Sequence, residues 1–324
     1  MINLGHISTP ASNVETKHVK MLVLGSGPAG LTAALYAARA ELEPVVLTGI
    51  ELGGQAALTH TIENYPGFPE GVGGSELGEL FQKQAERFGA KVEFDSAQSV
   101  DLSKRPYRVT TDNGEYLADT LVIATGARPN HLEIPGETDL TGKGVSYCAT
   151  CDGWFFKEKK VVVVGGGDSA LEEGLFLTRF ATSVTIIHRR DSLRAGKVLQ
   201  NRAFGNPKVN FIWNSVVTAV IGADKVTAVK LKNLENGVES EFPVDGVFIF
   251  IGHTPNTQMF KGQLDMDDLG YVTANHLMET NVPGVFVAGE VADSHFRQVV
   301  TSAGMGAAAA IQATHFLEKE TVNA

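Results

Sequence analysis

Two cysteines occur in the 324-residue chain, both in Cys148-Ala149-Thr150-Cys151, with Asp152 directly behind them. Three chemistries use such a pair: a zinc site, a structural disulfide or a redox dithiol. A zinc site needs four ligands; no second C-x-x-C completes one, and neither His131 nor His188 stands at ligand-like spacing, so no metal site is expected. A C-x-x-C loop closes into a small ring with little rearrangement, so one thiolate attacks a disulfide while the other resolves it. A buried pair without chemistry stays open on these residues alone. Asp152 is placed to shuttle a proton if burial raises its pKa; as a helix N-cap or a solvated acid it would do no chemistry.

A second constellation is His188-Arg189-Arg190 with Arg194, after the strand-like Thr185-Ile186-Ile187. Planar guanidinium groups bind a phosphate bidentately. Arg189 follows Gly165 by about 24 positions, near the place where an acid selects NAD and an arginine accepts the 2′-phosphate of NADP. NADPH is therefore expected over NADH, with a solvated charge cluster as the alternative.

The elements that must position these groups are two strand, glycine turn, helix units. The first runs from His18–Leu24 through Gly25-Ser26-Gly27-Pro28-Ala29-Gly30 into an Ala-rich helix, Leu31–Ala40. The second runs from Val161–Val164 through Gly165-Gly166-Gly167-Asp168-Ser169-Ala170 into a helix, Leu171–Phe180. The glycines serve a tight turn, close approach of backbone N–H groups to a pyrophosphate, and close packing of helix on strand. The helix N-terminus then meets the phosphates with its positive dipole end. One such turn is weak evidence; two in the same context imply two nucleotide sites. The first unit lacks an arginine cluster: its second strand ends in Thr48 and Gly49, with Glu51 near an adenosine ribose, which suits FAD.

Strand-like runs at Tyr116–Ile123 and Val244–Ile251 end in Ala124-Thr125-Gly126 and Gly252-His253-Thr254-Pro255, read as the crossings between domains. A strand from Val285 ends in Ala288-Gly289-Glu290, and a small-residue helix from about Thr301 to Leu317 returns to the first domain. Pro66–Gly74 reads as a loop, and Ser75 as the cap of a helix over Glu76–Phe88. The expected fold is α/β: two Rossmann-like nucleotide-binding domains of the three-layer ββα type, the second (130–253) inserted into the first (1–129 and 254–324). With 43% hydrophobic residues the chain is long enough for two cores.

A net charge of −10 offers no basic field for nucleic acid, which is not an expected partner. No run reaches the roughly 18 apolar residues of a membrane span. Residues 1–17 are too polar for the apolar core of a secretory signal, and a weakly ordered extension is expected there. Both cysteines in one motif, not spread to staple distant loops, favour a cytoplasmic redox pair.

Taken together, GSGPAG at 25–30, GGQ at 53–55, ENYPG at 63–67, CATCDG at 148–153, GGGDSA at 165–170, HRRDSLRA at 188–195 and RQVVTSAG at 297–304 resemble the low-molecular-weight thioredoxin reductases. The resemblance covers essentially the whole chain after residue 18. It implies that the first turn binds FAD, through Gly25, Gly27 and Gly30. Gly53, Gly54 and Gln55 then run along the flavin with Asn64, and Arg297, Gln298 and Val299 close over it. It implies that NADPH reduces the flavin, and that the flavin reduces the CATC disulfide. A rotation about Gly126 and Gly252 then exposes the dithiol to oxidised thioredoxin. Cys151 would face the flavin and Cys148 attack the partner, in a homodimer. One position departs: the family carries Asp where this chain has Glu290, so the geometry beside Gly289 must shift, with consequences for FAD affinity or flavin potential. There is no C-terminal cysteine or selenocysteine motif, so the electron path should end at Cys148 and Cys151.

Other readings remain. A flavoprotein could serve another small disulfide partner. A ferredoxin-NADP reductase is opposed by CATC, and an oxygen-using dithiol oxidase by Arg189, Arg190 and Arg194. A non-catalytic redox sensor is told apart by turnover.

Overall fold

The computed structural model describes residues 16–49, 51–59 and 61–323. The expected weak order of the leading segment falls on residues 1–15, outside these, while Thr16 and Lys17 already belong to the first strand. No helix among the described residues is long and apolar enough to cross a membrane.

Strand β1 (Thr16–Leu24) is fully buried from Met21 to Leu24. Met21 and Val23 join one core and Leu22 and Leu24 another, as in a strand covered on both faces. Helix α1 (Pro28–Arg39) begins three residues before the expected Leu31, because proline's fixed φ and missing N–H suit the first helical position. Next come β2 (Val45–Leu47), α2 (Gly74–Arg87), β3 (Lys91–Glu93), β4 (Ala97–Asp101), β5 (Tyr107–Thr111) and β6 (Glu115–Ile123). Ser75 is not the cap of α2: Gly73 precedes the helix in extended conformation and its carbonyl accepts Leu77 N at 2.9 Å, leaving Ser75 inside the first turn. β1 runs parallel to β2 and β6, and β2 to β3, whereas β4 and β5 add to the start of β6 as antiparallel strands.

The inserted part comprises β7 (Ala127–Pro129), β8 (Val145–Ser146), α3 (Ala149–Asp152), β9 (Lys160–Val164), α4 (Asp168–Leu177), β10 (Ser183–Ile187), α5 (Lys197–Phe204) and β11 (Val209–Ile212). An antiparallel sheet follows, β12 (Ser215–Gly222), β13 (Val226–Asn233) and β14 (Glu239–Pro243), then β15 (Gly246–Ile249) and β16 (His253–Pro255), the latter paired with β7. The parallel sheet has the order β11-β10-β9-β15-β8. Val161 to Val164 alternate between its two cores, so that helices cover one face and the antiparallel strands the other.

The chain closes with β17 (Val285–Val287) and α6 (Val299–Asn323). β17 lies parallel to Leu121–Ile123 of β6. The first parallel sheet therefore repeats the order of the second, with β17 in the place of β8.

Two compact units result. Among the described residues, one holds those from Thr16 to Leu58, Gly73–Gly126 and those from Pro255 to Asn323; the other holds those of Thr59–Val72 and Ala127–Thr254. The boundaries expected were 129/130 and 253/254. Thr59–Val72, expected in the first domain, clusters with the second unit, its ends tied to each other by backbone bonds between Ile62 and Val72 at 2.7 and 3.0 Å.

Helices α1 and α6 cross so closely that a Cβ on Gly306 would stand 2.1 Å from the Ala29 carbonyl oxygen. Alanine gains about 1 kcal/mol over glycine in helix propensity, but overpacking against backbone costs about 1–3 kcal/mol. Gly306→Ala is therefore expected to lower Tm by about 2–4 °C per net kcal/mol in calorimetry; a raised Tm contradicts the crossing.

Candidate functional site

In the first unit each turn glycine answers a different neighbour. A Cβ on Gly25, at φ +109°, would stand 2.3 Å from the Ala124 oxygen, and one on Gly30 would stand 1.8 Å from the Gly25 oxygen. Gly27 has nothing within 4 Å of the same position, and α1 starts beside it with no side-chain cap. An open cradle at a helix start with free N–H groups fits a dinucleotide pyrophosphate. Ser26 is buried; its hydroxyl reaches the carbonyls of Thr48 at 3.1 Å and Glu51 at 3.2 Å, and Gly53 N donates to Ser26 O at 3.1 Å. The Cβ position of Gly54 is 3.2 Å from Gly27 Cα, and that of Gly289 is 2.9 Å from Ala29 Cβ. Thr125 and Gly126 are bound to Asn256, through Thr125 Oγ1 to Asn256 O at 2.8 Å and Asn256 N to Gly126 O at 2.9 Å.

The expected residues Gly25 to Gly30, Thr48, Gly49, Glu51, Gly53, Gly54, Ala124 and Gly289 are thus gathered at one turn. Gln55 follows in an exposed 3-10 turn, and Asn64 lies in Thr59–Val72, within the other unit. Asp293 accepts the N–H groups of His295, Phe296 and Arg297 at 2.8–3.0 Å, bending the chain through Arg297 at φ +52° and Gln298 into α6 at Val299.

The second turn repeats the pattern. A Cβ on Gly165 would stand 2.5 Å from Phe250 O and 2.7 Å from Ala170 Cβ; Gly166 lies against the His188 ring, and Gly167 faces only Arg194, 3.9 Å away. Arg194 N and Ala195 N both reach Gly166 O, and Asp168 Oδ1 accepts Gly196 N at 2.8 Å, which straps the start of α4 to the arginine turn. Arg189, Arg190 and Arg194 are exposed, and among the described residues no salt bridge occupies them. Burial and then the charges of Arg194, Arg189 and Arg190 push His188 below the usual histidine range. Its buried Nε2 has no hydrogen-bond partner among the described residues. An open glycine, three free guanidinium groups and an orphaned donor or acceptor fit a phosphorylated dinucleotide such as NADPH.

Cys148 and Cys151 form a disulfide at the end of β8. Cys148 caps α3: its Sγ accepts Cys151 N at 3.2 Å and lies 3.3 Å from Thr150 Oγ1. Burial raises the Asp152 pKa, and a 2.6 Å bond from Ser146 Oγ to Oδ2 offsets part of that rise. Asp152 makes no capping bond to the turn that follows it. Beside the disulfide, Tyr147 OH donates to Glu137 Oε1 at 2.7 Å and lies 2.8 Å from His131 Nδ1. Burial raises the Glu137 pKa, but the N–H groups of Leu132 and Ile134 and the Tyr147 hydroxyl hold it below the usual carboxylate range. Burial, then this carboxylate, push Tyr147 well upward, so its hydroxyl stays protonated.

Sequence reasoning missed Ser146, Tyr147 and Glu137. Pro135-Gly136-Glu137 and the Ser-Tyr before CATC were visible, but their pairing depends on the register of β8 against β15.

A model of the pyridine nucleotide-disulphide oxidoreductases matches residues 19–306. A thioredoxin reductase of Rickettsia felis is 50% identical over 305 residues, 93% of this chain and 98% of its own length. One of Streptomyces coelicolor is 49% identical over 300 residues, 92% and 93% of the two chains. The crystal structure of thioredoxin reductase from Streptococcus pyogenes MGAS5005 is similar with a TM-score of 0.89 at 43% identity, covering 93% of this chain and 99% of that one.

Glu290, next to Gly289, is a further partly buried acid. Burial raises its pKa to about 7, with Arg297 opposing and Asp293 adding to the rise. A carboxyl whose folded pKa exceeds its unfolded value keeps a proton that the unfolded chain gives up, so stability falls as pH rises from about 4.5 to about 7. Glu290→Gln removes that loss. Its Tm advantage over the unaltered protein should be near zero at pH 4.5 and reach a plateau above pH 7; an advantage independent of pH contradicts the assignment.

Proposed function

The chain belongs to the pyridine nucleotide-disulphide oxidoreductases, among their thioredoxin reductases, and from that premise we propose the route its electrons take: from NADPH, through FAD, to the Cys148–Cys151 disulfide and on to the disulfide of oxidised thioredoxin. Membership implies a flavin and NADPH; that the flavin is FAD rests on the open dinucleotide turn at Gly27. The observation that carries the route is the disulfide at the end of β8, with the partly buried Asp152 behind it, in the sheet whose strand β9 feeds the arginine-flanked turn.

The chemistry the flavin supplies when bound is two-electron exchange between nicotinamide and disulfide. The chain's own residues do the remaining work. The N–H groups at Gly166, Gly167, Asp168 and Ser169 receive the NADPH pyrophosphate, His188 lies beneath, and Arg189, Arg190 and Arg194 take the 2′-phosphate. Gly25 to Gly30 receive the FAD pyrophosphate, and Thr48, Gly49 and Glu51 border its adenosine. Gly53 to Gln55, Asn64, Ala124 to Gly126, Gly289, Glu290 and Arg297 to Val299 serve the rest of the cofactor. Cys148 attacks the partner disulfide, Cys151 resolves the mixed disulfide, and Asp152 carries the proton. Trp154 and Phe155, 57% and 51% exposed next to the sulfurs, offer aromatic surface of the kind enriched at interfaces. A cytoplasmic setting follows from the direction of the chemistry, since NADPH-driven disulfide reduction belongs to a reducing compartment. The homodimer is carried by the family resemblance, and light scattering reads it.

The test is NADPH-dependent reduction of thioredoxin by the flavin-loaded protein. Cys151→Ser is expected to lose turnover by about 10³-fold or more, as for removal of a group acting in a unit; undiminished turnover sinks the dithiol route. Arg189→Ala should lower the ratio of kcat/KM for NADPH over NADH by about tenfold or more. An unchanged ratio removes Arg189 from the phosphate site.

A further inference from the structure

Resting on the reading of Asp152 as the proton carrier of the dithiol, we propose that Ser146 is a positioning residue: its hydroxyl fixes the Asp152 carboxyl and limits how tightly that carboxyl keeps its proton. Ser146 is 4% exposed and belongs to the two-residue strand β8, in register with Phe248 of β15, so its backbone is held by the sheet. Its Oγ lies 2.6 Å from Asp152 Oδ2 and 3.2 Å from Cys148 O, and it accepts Cys148 N at 3.1 Å. A serine hydroxyl has one proton to give. The shortest contact, to the carboxylate, takes it, and Cys148 N occupies an acceptor position. One buried oxygen therefore fixes both the residue that opens the redox loop and the acid that closes it.

The two influences on Asp152 oppose each other: burial favours the neutral acid, and a donated hydrogen bond favours the carboxylate. The charged residues of the neighbouring elements are Asp168, Glu172 and Glu173 on α4 and Lys157, Glu158, Lys159 and Lys160 before and in β9. Among the described residues none of them figures as a cause of the Asp152 shift. The sulfurs of Cys148 and Cys151 titrate only once reduced.

When an external thiolate attacks the disulfide, a new S–S bond forms to one cysteine. The Cys148–Cys151 bond breaks, and its electron pair stays on the other sulfur, which takes the proton held by Asp152. A second thiol of the same reductant then displaces the first cysteine and leaves as a cyclic disulfide, so the reductant is oxidised and both cysteines are reduced. The first step needs Asp152 protonated, so its rate, per reductant thiolate, falls as pH rises through the Asp152 ionisation.

The experiment uses the oxidised, FAD-loaded protein and dithiothreitol. The rate at which Cys148 and Cys151 become alkylatable is followed by mass spectrometry across pH and divided by the fraction of dithiothreitol present as thiolate. The unaltered protein should show one inflection that Asp152→Asn removes. Ser146→Ala should move it upward by about one pH unit, the size expected for losing a hydrogen bond to a charged group. If Ser146→Ala does not fold, the near-isosteric pair Ser146→Thr and Ser146→Val carries the comparison, Thr keeping the inflection in place and Val moving it upward. An inflection that Asp152→Asn removes but that Ala or Val leaves unmoved overturns the role of Ser146. An inflection that survives Asp152→Asn overturns the reading of Asp152, and the proposal with it.

Discussion

In each half of the chain, the first glycine of the nucleotide turn lies against a carbonyl oxygen at the end of a neighbouring strand: Ala124 O for Gly25 and Phe250 O for Gly165, at 2.3 and 2.5 Å from where a Cβ would be. No side chain fits between them. The surrounding bonds repeat as well, with Gly25 N on Leu47 O and Ala124 N on Leu24 O in one half, and Gly165 N on Ile187 O and Phe250 N on Val164 O in the other. This approach pins three strand ends around each turn. Just beyond the pinned ends of β6 and β15 come Gly126, where the chain passes to the second unit, and Gly252, shortly before it returns after Thr254, both at positive φ. The proposed cofactor cradle and a nearby unit boundary thus share one steric requirement.

Because the two parallel sheets have the same strand order, β8 and β17 occupy equivalent places, and each is followed by a chemically unusual loop. After β17 come Gly289 and Glu290; after β8 come Cys148 to Asp152. Both loops carry an acid that burial pushes toward its protonated form, Glu290 to about 7 and Asp152 above the usual carboxylate value. Their partners differ: Glu290 lies in the fields of Arg297 and Asp293, whereas among the described residues the Asp152 carboxyl has a neutral donor, Ser146. The duplicated frame sets where an acid stands, and local neighbours set how it holds a proton.

Much of this was legible in sequence because its causes are local. Four consecutive buried apolar residues before each glycine turn mark a doubly covered strand, and the glycine spacing marks the turn. Helix starts were less legible: α1 and α4 begin inside the motifs at Pro28 and Asp168, where N–H groups without intrahelical partners are left free for a ligand. Ser75 looked like a cap, yet Gly73 provides the extended residue. The network of Ser146, Tyr147 and Glu137 was not legible, since its bonds depend on strand register and on burial contributed by distant residues. Glu290 was visible as a departure from the family pattern, but its proton affinity depends on how α6 and its preceding turn pack against it.

On the proposed route, electrons from NADPH reach Cys148 and Cys151. Anaerobic titration of the flavin-loaded protein with NADPH, read by flavin absorbance and by alkylation of the two cysteines, tests it most directly. Disulfide and flavin are each two-electron couples, so the unaltered protein should consume about two equivalents per chain, with both cysteines becoming alkylatable, and the Cys148→Ser/Cys151→Ser protein about one. A fully reduced flavin beside a disulfide that stays closed would rule out electron transfer from NADPH to Cys148 and Cys151.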